Sequence, residues 1–223
     1  RSVINQLEED WELIVVDDAS PTPVRVAHHP RVHLVRLEEN RGFSVAANAG
    51  LKYACGSTVA FLADDDAWTT TRLENAKRAH LAGADVVVCR STVMHSTGMQ
   101  FGISNAAFSI SSPGDVGRAE MLGSLCAISI RRELCPNLNE DMRGSEDIDW
   151  SIRLSSLRPL VAHVHSDDFL WRKHSGVRHG NGTEARILAS QRLLEVHSEY
   201  YGRHPSSKAY RLYRMGHMSL QNG

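Results

Sequence analysis

Phe61-Leu62-Ala63-Asp64-Asp65-Asp66-Ala67-Trp68 joins a strand-sized apolar run directly to three consecutive carboxylates. A short continuous apolar run predicts a buried parallel strand, here 59–62, and acids at its C-terminal end predict that this end opens on a site. Adjacent carboxylates repel one another and are tolerated where a cation or donor groups compensate them. Oxygen donors of this kind suit hard divalent ions such as Mg²⁺ or Mn²⁺, which also take substrate phosphates and water. The competing reading is a helix-start acid run favoured by the helix dipole; it accounts well for one acid and poorly for three.

The same pattern occurs upstream. Glu12-Leu13-Ile14-Val15-Val16-Asp17-Asp18 is another apolar run ending in acids, and Ser20-Pro21-Thr22-Pro23 then breaks the chain. For Asp17 and Asp18 alone, a solvated turn and a binding site are equally open readings. A strand is predicted over 32–37. Asn40-Arg41-Gly42 then leads into a helix over 43–54, with Phe43, Ala46, Ala47, Gly50, Leu51 and Ala54 on one face. A helix over 70–82 has threonines at its start and Gly83 past its end, and a strand follows over 85–90. Such alternation predicts an α/β domain with a mainly parallel sheet, whose ligands bind outside the carboxyl ends of the strands.

Beyond residue 91 the pattern loosens, and 99–112 reads as Gly- and Ser-rich loops or hairpins over the site. Strands are predicted over 124–131, 160–164 and 168–171, helices over 145–157, 183–201 and 206–219, and a loop over 174–182. Residues 2–7 read as a short, uncapped opening helix, so a further segment is expected before Arg1.

At 223 residues the chain has room for one substantial domain. Its net charge of −1 argues against a nucleic acid or anionic membrane held by bulk electrostatics. Cys55, Cys89, Cys126 and Cys135 have no CxxC spacing and read as reduced thiols. No apolar run is long enough to span a bilayer and no signal peptide opens the chain, so a cytoplasmic protein is expected.

Two further motifs carry chemistry. Gly144-Ser145-Glu146-Asp147-Ile148-Asp149-Trp150 reads as a helix start with Ser145 as N-cap. Acids are commonplace there, and the same dipole is expected to keep Asp147 ionised, as a general base requires. In Leu170-Trp171-Arg172-Lys173-His174-Ser175, the cations suit a diphosphate and His174 suits a metal. His163 and His165 share a strand face and read as packed or exposed positions rather than ligands.

Order and spacing add a resemblance. Ile14-Val15-Val16-Asp17-Asp18-Ala19-Ser20, Asn40-Arg41-Gly42 with Ala46, Asn48 and Gly50, the acidic run with Trp68, and Glu146-Asp147 together closely resemble family 2 glycosyltransferases. Gln6 and Trp11-Glu12 fit as well. The likeness is strong up to Leu73, good over 144–154 and weak over 91–139. It implies the GT-A fold: a Rossmann-like, nucleotide-binding mixed sheet flanked by helices, with C-terminal helices. Residues 1–90 are then the nucleotide-sugar half, 91–182 the acceptor half and 183–223 the closing helices of one domain.

The resemblance further implies metal-assisted, inverting transfer from a nucleoside-diphosphate sugar, UDP-sugar first, to a sugar, lipid-linked or small-molecule hydroxyl. Asp17 and Asp18 then face the nucleotide, Asp18 reading its base, with Arg41 and Asn48 nearby. Asp64 meets the ribose, Asp65 ligates Mn²⁺ or Mg²⁺ with Asp66 in support, and Arg172 holds phosphate. His174 contacts phosphate or metal, and Asp147 is the base, with Glu146 beside it. Ala63 and Ala47 depart from frequent family residues, and the family's first strand has no counterpart. The competing readings are a non-catalytic nucleotide-sugar-binding module and a metal-dependent nucleotidyltransferase; the latter is expected to show a Gly-rich phosphate loop, and none is visible. A homodimer and a peripheral place at the inner face of the membrane complete the expectations.

Overall fold

In the computed structural model, residues 1–26, 28–94, 102–111, 122–172 and 183–220 are described. Strand β1 (Leu13–Asp17) pairs in parallel with β2 (Val32–Arg36), Leu13 lying opposite Val32 and Asp17 opposite Arg36. A second sheet contains β3 (Thr58–Ala60), β4 (Ala67–Trp68), β5 (Val86–Met94), β6 (Phe108–Ser111), β7 (Ile128–Arg131) and β8 (Val161–Arg172). Its order is β3-β7-β5-β8-β4, with β6 also on β8. Within it only β5 and β8 run parallel; the other pairs are antiparallel. The sheet is therefore mixed rather than mainly parallel, because β6 and β7, from the loosely patterned stretch, run back against their neighbours.

Helix α1 (Phe43–Tyr53) lies against β1, where a Cβ on Gly50 would sit 3.3 Å from Val16. The face of α1 that is buried carries Ser44 and Asn48, whereas Phe43 is exposed. The apolar stripe read from the sequence is thus displaced, because a polar clamp through Asn48 sets the helix's rotation. Helices α2 (Arg72–Leu81) and α3 (Glu146–Ser155) follow, and α4 (Thr183–Val196), α5 (Ser198–Arg203) and α6 (Pro205–Leu220) close the described chain. The single helix expected over 183–201 is broken at His197, whose Nε2 bonds to Asp149 at 2.8 Å.

Residues 2–7 form a turn rather than a helix. Gln6 holds this turn to the start of α2, donating to the Thr69 carbonyl at 2.7 Å and accepting from the Leu73 N–H at 2.9 Å. The two strands expected over 160–171 are one strand, β8, with a bulge. Cys89 pairs with Val164 but Ser91 with Phe169, so β8 carries extra residues between these pairs. Asp168 lies in that bulge, fully buried, and accepts hydrogen bonds from Thr69, Thr71, Ser166 and Asn75. The threonines at the start of α2 are thereby used on Asp168, and the N-cap Thr71 makes no side-chain cap bond. A Cβ on Gly102 would collide with this hydroxyl cage, which explains a glycine there.

Val86, Ile128, Ile130 and Trp150 are almost wholly buried and hold β5, β7 and α3 together. Each such side chain contributes about 1.5–3 kcal/mol over exposure. Met142, Ile152, Leu193 and Tyr201 form a separate cluster that fastens α3 to the C-terminal helices. The four cysteines are free thiols; burial pushes Cys126 up to about 11 and Cys135 up to about 12. Among the described residues no helix is long and apolar enough to cross a membrane.

Candidate active site

The acidic run lies on the loop from β3 to β4, where the Asp66 N–H bonds to the Ala63 carbonyl at 3.2 Å. Pairing of Ala67 with Leu170 carries the end of β8 onto this loop. Arg172 arrives there: its backbone N–H donates to Asp66 Oδ1 and its Nε to the Asp65 carbonyl, both at 2.9 Å. Asp64 is exposed, while Asp65 and Asp66 are half-buried. Lys173 and His174 lie outside the described residues.

Among the described residues no three His, Cys, Asp or Glu side chains converge as a ready-made metal cage. The oxygen donors of Asp65 and Asp66 nonetheless fit Mg²⁺ or Mn²⁺, which bind through one or two carboxylates and complete their shell with water and substrate phosphates. Arg172→Ala is expected to raise the KM for a nucleoside-diphosphate sugar on the order of ten- to a hundredfold, the value of a charge-assisted hydrogen bond. Arg172→Lys should recover only part of it, since the planar fork is lost. Steady-state kinetics on both variants checks this.

At the end of β1 the paired acids have different surroundings. Asp17 is buried and accepts from the N–H groups of Val24 at 3.0 Å and Ser20 at 2.9 Å, and it pairs with Arg36. Those backbone bonds first, then Arg36 against the cost of burial, hold its carboxyl well below the usual range. Asp17 therefore anchors the turn at 18–24. Asp18 accepts from the N–H groups of Arg41 at 2.9 Å and Gly42 at 2.7 Å, ahead of α1. Gly42 sits at φ 91°, a left-handed conformation that favours glycine. Asn48 exchanges hydrogen bonds with Leu138, at 2.9 and 2.8 Å, and also donates to Glu140. Arg41 reaches the same Glu140 at 3.4 Å. Glu140 thus ties Arg41 and Asn48 together from a stretch with no sequence signal.

Across from this, α3 presents Glu146 and Asp147 in its first turn. Ser145 occupies the N-cap position, but its side chain makes no cap bond. Asp147 Oδ1 accepts from the Ile148 N–H at 2.9 Å. Burial raises its pKa, and Glu146 adds to this; the Ile148 N–H and Arg211 pull the other way. Burial thus outweighs the opposing pull of the helix start on this carboxyl. A carboxyl raised in this way is the better proton acceptor.

Asp147, Ile148 and Ser151 of α3 line a cavity of about 290 Å³ with Gly123 and Ser124. Its remaining wall is Tyr210, Arg211 and Arg214 of α6, which the sequence did not mark as site residues. Their spacing was visible, but nothing local assigned them a partner. The segment at 124–126 links this cavity to the acidic run: Ser124 Oγ accepts the Cys126 N–H, Cys126 Sγ accepts the Ala63 N–H at 3.3 Å, and Trp68 Nε1 donates to the Cys126 carbonyl at 2.8 Å. His163 and His165 point outward on β8.

The sequence model of glycosyl transferase family 2 matches residues 1–106. Over these residues the chain is similar to that family. They contain β1, β2 and the acidic run, the same part in which the motifs carry the resemblance. Over 77 residues the chain is 39% identical to the UDP-Glc:alpha-D-GlcNAc-diphosphoundecaprenol beta-1,3-glucosyltransferase WfgD of Escherichia coli, covering 33% of this chain and 30% of WfgD. It is 42% identical over 82 residues to the succinoglycan biosynthesis protein ExoO of Rhizobium meliloti (strain 1021), covering 34% of this chain and 24% of ExoO. The matched stretch thus spans less than a third of either relative's length. The structure of S. aureus TarS 1-349 in complex with UDP-GlcNAc superposes with a TM-score of 0.62 at 17% identity, covering 86% of this chain and 61% of that one. At that identity the likeness concerns the fold, and the mixed sheet with flanking helices is the GT-A fold.

Proposed function

We propose that the protein transfers a sugar from a nucleoside-diphosphate sugar to an acceptor hydroxyl with inversion, Asp147 serving as general base. The observation that carries this reading is the segment at 124–126, which touches the acidic run through Cys126 and lines the Asp147 cavity through Ser124. A diphosphate group beside Arg172 and a hydroxyl beside Asp147 would then flank one short stretch of chain. In the step, the acceptor oxygen forms a bond to the anomeric carbon while the bond from that carbon to the phosphate oxygen breaks. The acceptor proton passes to Asp147, and the nucleoside diphosphate leaves with the electron pair.

Asp18 and Asp64 meet base and ribose in this reading, and Arg172 meets the diphosphate. Asp65 and Asp66, with His174, would hold Mg²⁺ or Mn²⁺, which when bound offsets charge on the leaving diphosphate. Asp17 and Asn48 hold the walls of the site from behind through the bonds described above. Fold likeness to a structure that contains UDP-GlcNAc makes a UDP-sugar the first donor to assay. The name of WfgD makes a lipid-linked GlcNAc diphosphate the first acceptor.

Chromatographic analysis of products tests the reaction class. Release of UDP together with a glycosylated acceptor is expected. Pyrophosphate release would instead indicate nucleotidyl transfer, and UDP-sugar binding without turnover would indicate a non-catalytic module.

A further inference from the structure

Arg72 opens α2 and is fully buried, an uncommon place for a guanidinium. Its Nη2 donates to the Ala127 carbonyl at 3.1 Å, and its Cζ lies 5.6 Å from the centre of the Trp68 ring. Among the described residues, its Nε and Nη1 have no hydrogen-bond partner. Burying a charge with unmatched donors is unfavourable, and an apolar side chain of similar volume fills a core at lower cost. Packing alone therefore does not account for an arginine here. The bond to Ala127 is the contact that an apolar residue could not make.

Trp68, at the end of β4, makes the matching bond one residue earlier: its Nε1 donates to the Cys126 carbonyl at 2.8 Å. Cys89 of β5 adds its thiol to the Ala127 carbonyl at 3.4 Å. Two successive carbonyls are thus held by residues that closely follow the acidic run. The link from Trp68 to Arg72 is itself fixed, because Thr69, Thr70 and Thr71 are buried and two of them, Thr69 and Thr71, donate to Asp168. The held segment also has a second side. Cys126 Sγ accepts the Ala63 N–H ahead of the acidic run, and Ser124 lines the Asp147 cavity. A shift of residues 126–127 would therefore change the distance between the acidic run and Asp147.

We propose that Arg72 is a positioning residue for sugar transfer: with Trp68 it clamps the carbonyls of residues 126 and 127, and so sets the spacing between the donor at the acidic run and the acceptor hydroxyl at Asp147. Fully buried, Arg72 touches neither substrate and acts through the segment it holds. The catalytic part of this assignment rests on Asp147 being the general base and on the acidic run receiving the donor.

Steady-state kinetics and amide hydrogen exchange on the full chain, as wild type, Arg72→Met and Arg72→Lys, test this. Arg72→Met keeps the bulk of the side chain and removes its donors. It is expected to lower kcat about ten- to a hundredfold, the effect of a misplacement of about 1 Å, while KM for the UDP-sugar and UDP affinity stay unchanged. Exchange should quicken at the amides of Ala63, Cys126 and Ala127 and stay unchanged in α3. Arg72→Lys keeps a donor for the Ala127 carbonyl but lacks the planar fork, so it should recover part of kcat.

A lowered melting temperature with wild-type kcat would mark a merely structural arginine and overturn the proposal. A loss confined to KM, equal losses in Arg72→Met and Arg72→Lys, or exchange that quickens throughout the fold would overturn it as well. Should Arg72→Met fail to fold, Trp68→Phe, which keeps an aromatic ring and loses the indole N–H, takes its place with the same expectation. If the wild type transfers no sugar, the glycosyltransferase reading falls and the catalytic role of Arg72 with it; exchange at Ala63 then decides whether the clamp itself stands. If the wild type transfers sugar and Arg72→Met does so with the same kcat, the positioning role alone falls.

Discussion

Asp147→Asn is expected to lower sugar transfer by roughly a hundred- to ten-thousandfold, the usual contribution of a general base, while UDP affinity stays unchanged. Asn keeps the shape and can still accept the Ile148 N–H, but it cannot take a proton. The wild-type pH profile should carry the same signature. Because burial raises the Asp147 pKa, the rate should fall on the acid side at a higher pH than an unshifted carboxylate would give. Stability should move in the opposite sense to activity. A carboxyl raised in the folded state adds stability below its unfolded pKa and loses that contribution as pH rises through its folded pKa. Above its folded pKa the wild type therefore retains a buried charge that Asn lacks, and there Asp147→Asn should melt at the same temperature or higher. Paired kinetics and melting separate a lost base from a damaged fold, since a damaged fold would lower both.

Two residues along the same helix, the largest stability effect is expected. Asp149 is fully buried, receives His197 Nε2 at 2.8 Å and Arg153 Nε at 2.9 Å, and forms an ion pair with Arg153 Nη2 at 2.8 Å. Burial alone would raise its pKa, but the bonds from His197 and Arg153 outweigh it and hold the carboxyl below its ordinary value. His197 is the break between α4 and α5, so this one carboxylate fastens α3 to the C-terminal helices. Asp149→Ala leaves the cationic partners without their anion, and breaking a buried pair in this way costs about 3–5 kcal/mol. For a chain of this size each kcal/mol moves Tm by about 2–4 °C, so a fall of roughly 10 °C is expected by calorimetry. A depressed carboxyl contributes stability above its unfolded pKa and loses it as pH falls through the folded pKa. The gap between wild type and variant should accordingly narrow only in strong acid. A gap that is unchanged there would show that Asp149 acts through packing rather than charge.

The reach of the sequence divides between local and distant information. The acidic run and its place after a strand were legible because both follow from neighbouring residues: an apolar run, then carboxylates. The position of Glu146 and Asp147 in a first helical turn was legible for the same reason. Asp17 was not separable from Asp18, since its partner Arg36 comes from the paired strand β2. The bulge in β8 reads as a gap between two strands at 165–167, and the hydroxyls of Thr69 and Thr71 that enclose Asp168 come from a distant part of the chain. Asn48 and Glu140 meet across 92 positions of chain, which no periodicity reports. The third wall of the Asp147 cavity comes from α6, where Tyr210, Arg211 and Arg214 look like an ordinary solvated face until the fold brings them to α3. Ser145 shows the converse: a good N-cap residue in the N-cap position makes no side-chain cap bond.

The central claim, that the acidic run with Arg172 receives the diphosphate of an activated sugar, is most directly tested by thermal unfolding with nucleoside diphosphates, with and without Mn²⁺. A ligand present at a hundred times its Kd stabilises the fold by about 2.7 kcal/mol. At about 2–4 °C per kcal/mol this is a rise of roughly 5–10 °C. UDP with Mn²⁺ is expected to produce that rise, UDP alone a smaller one, and Asp65→Ala should remove the difference between them. If no nucleoside diphosphate raises the melting temperature in either condition, or if the Mn²⁺ effect survives Asp65→Ala, the assignment of this run to the donor diphosphate is contradicted.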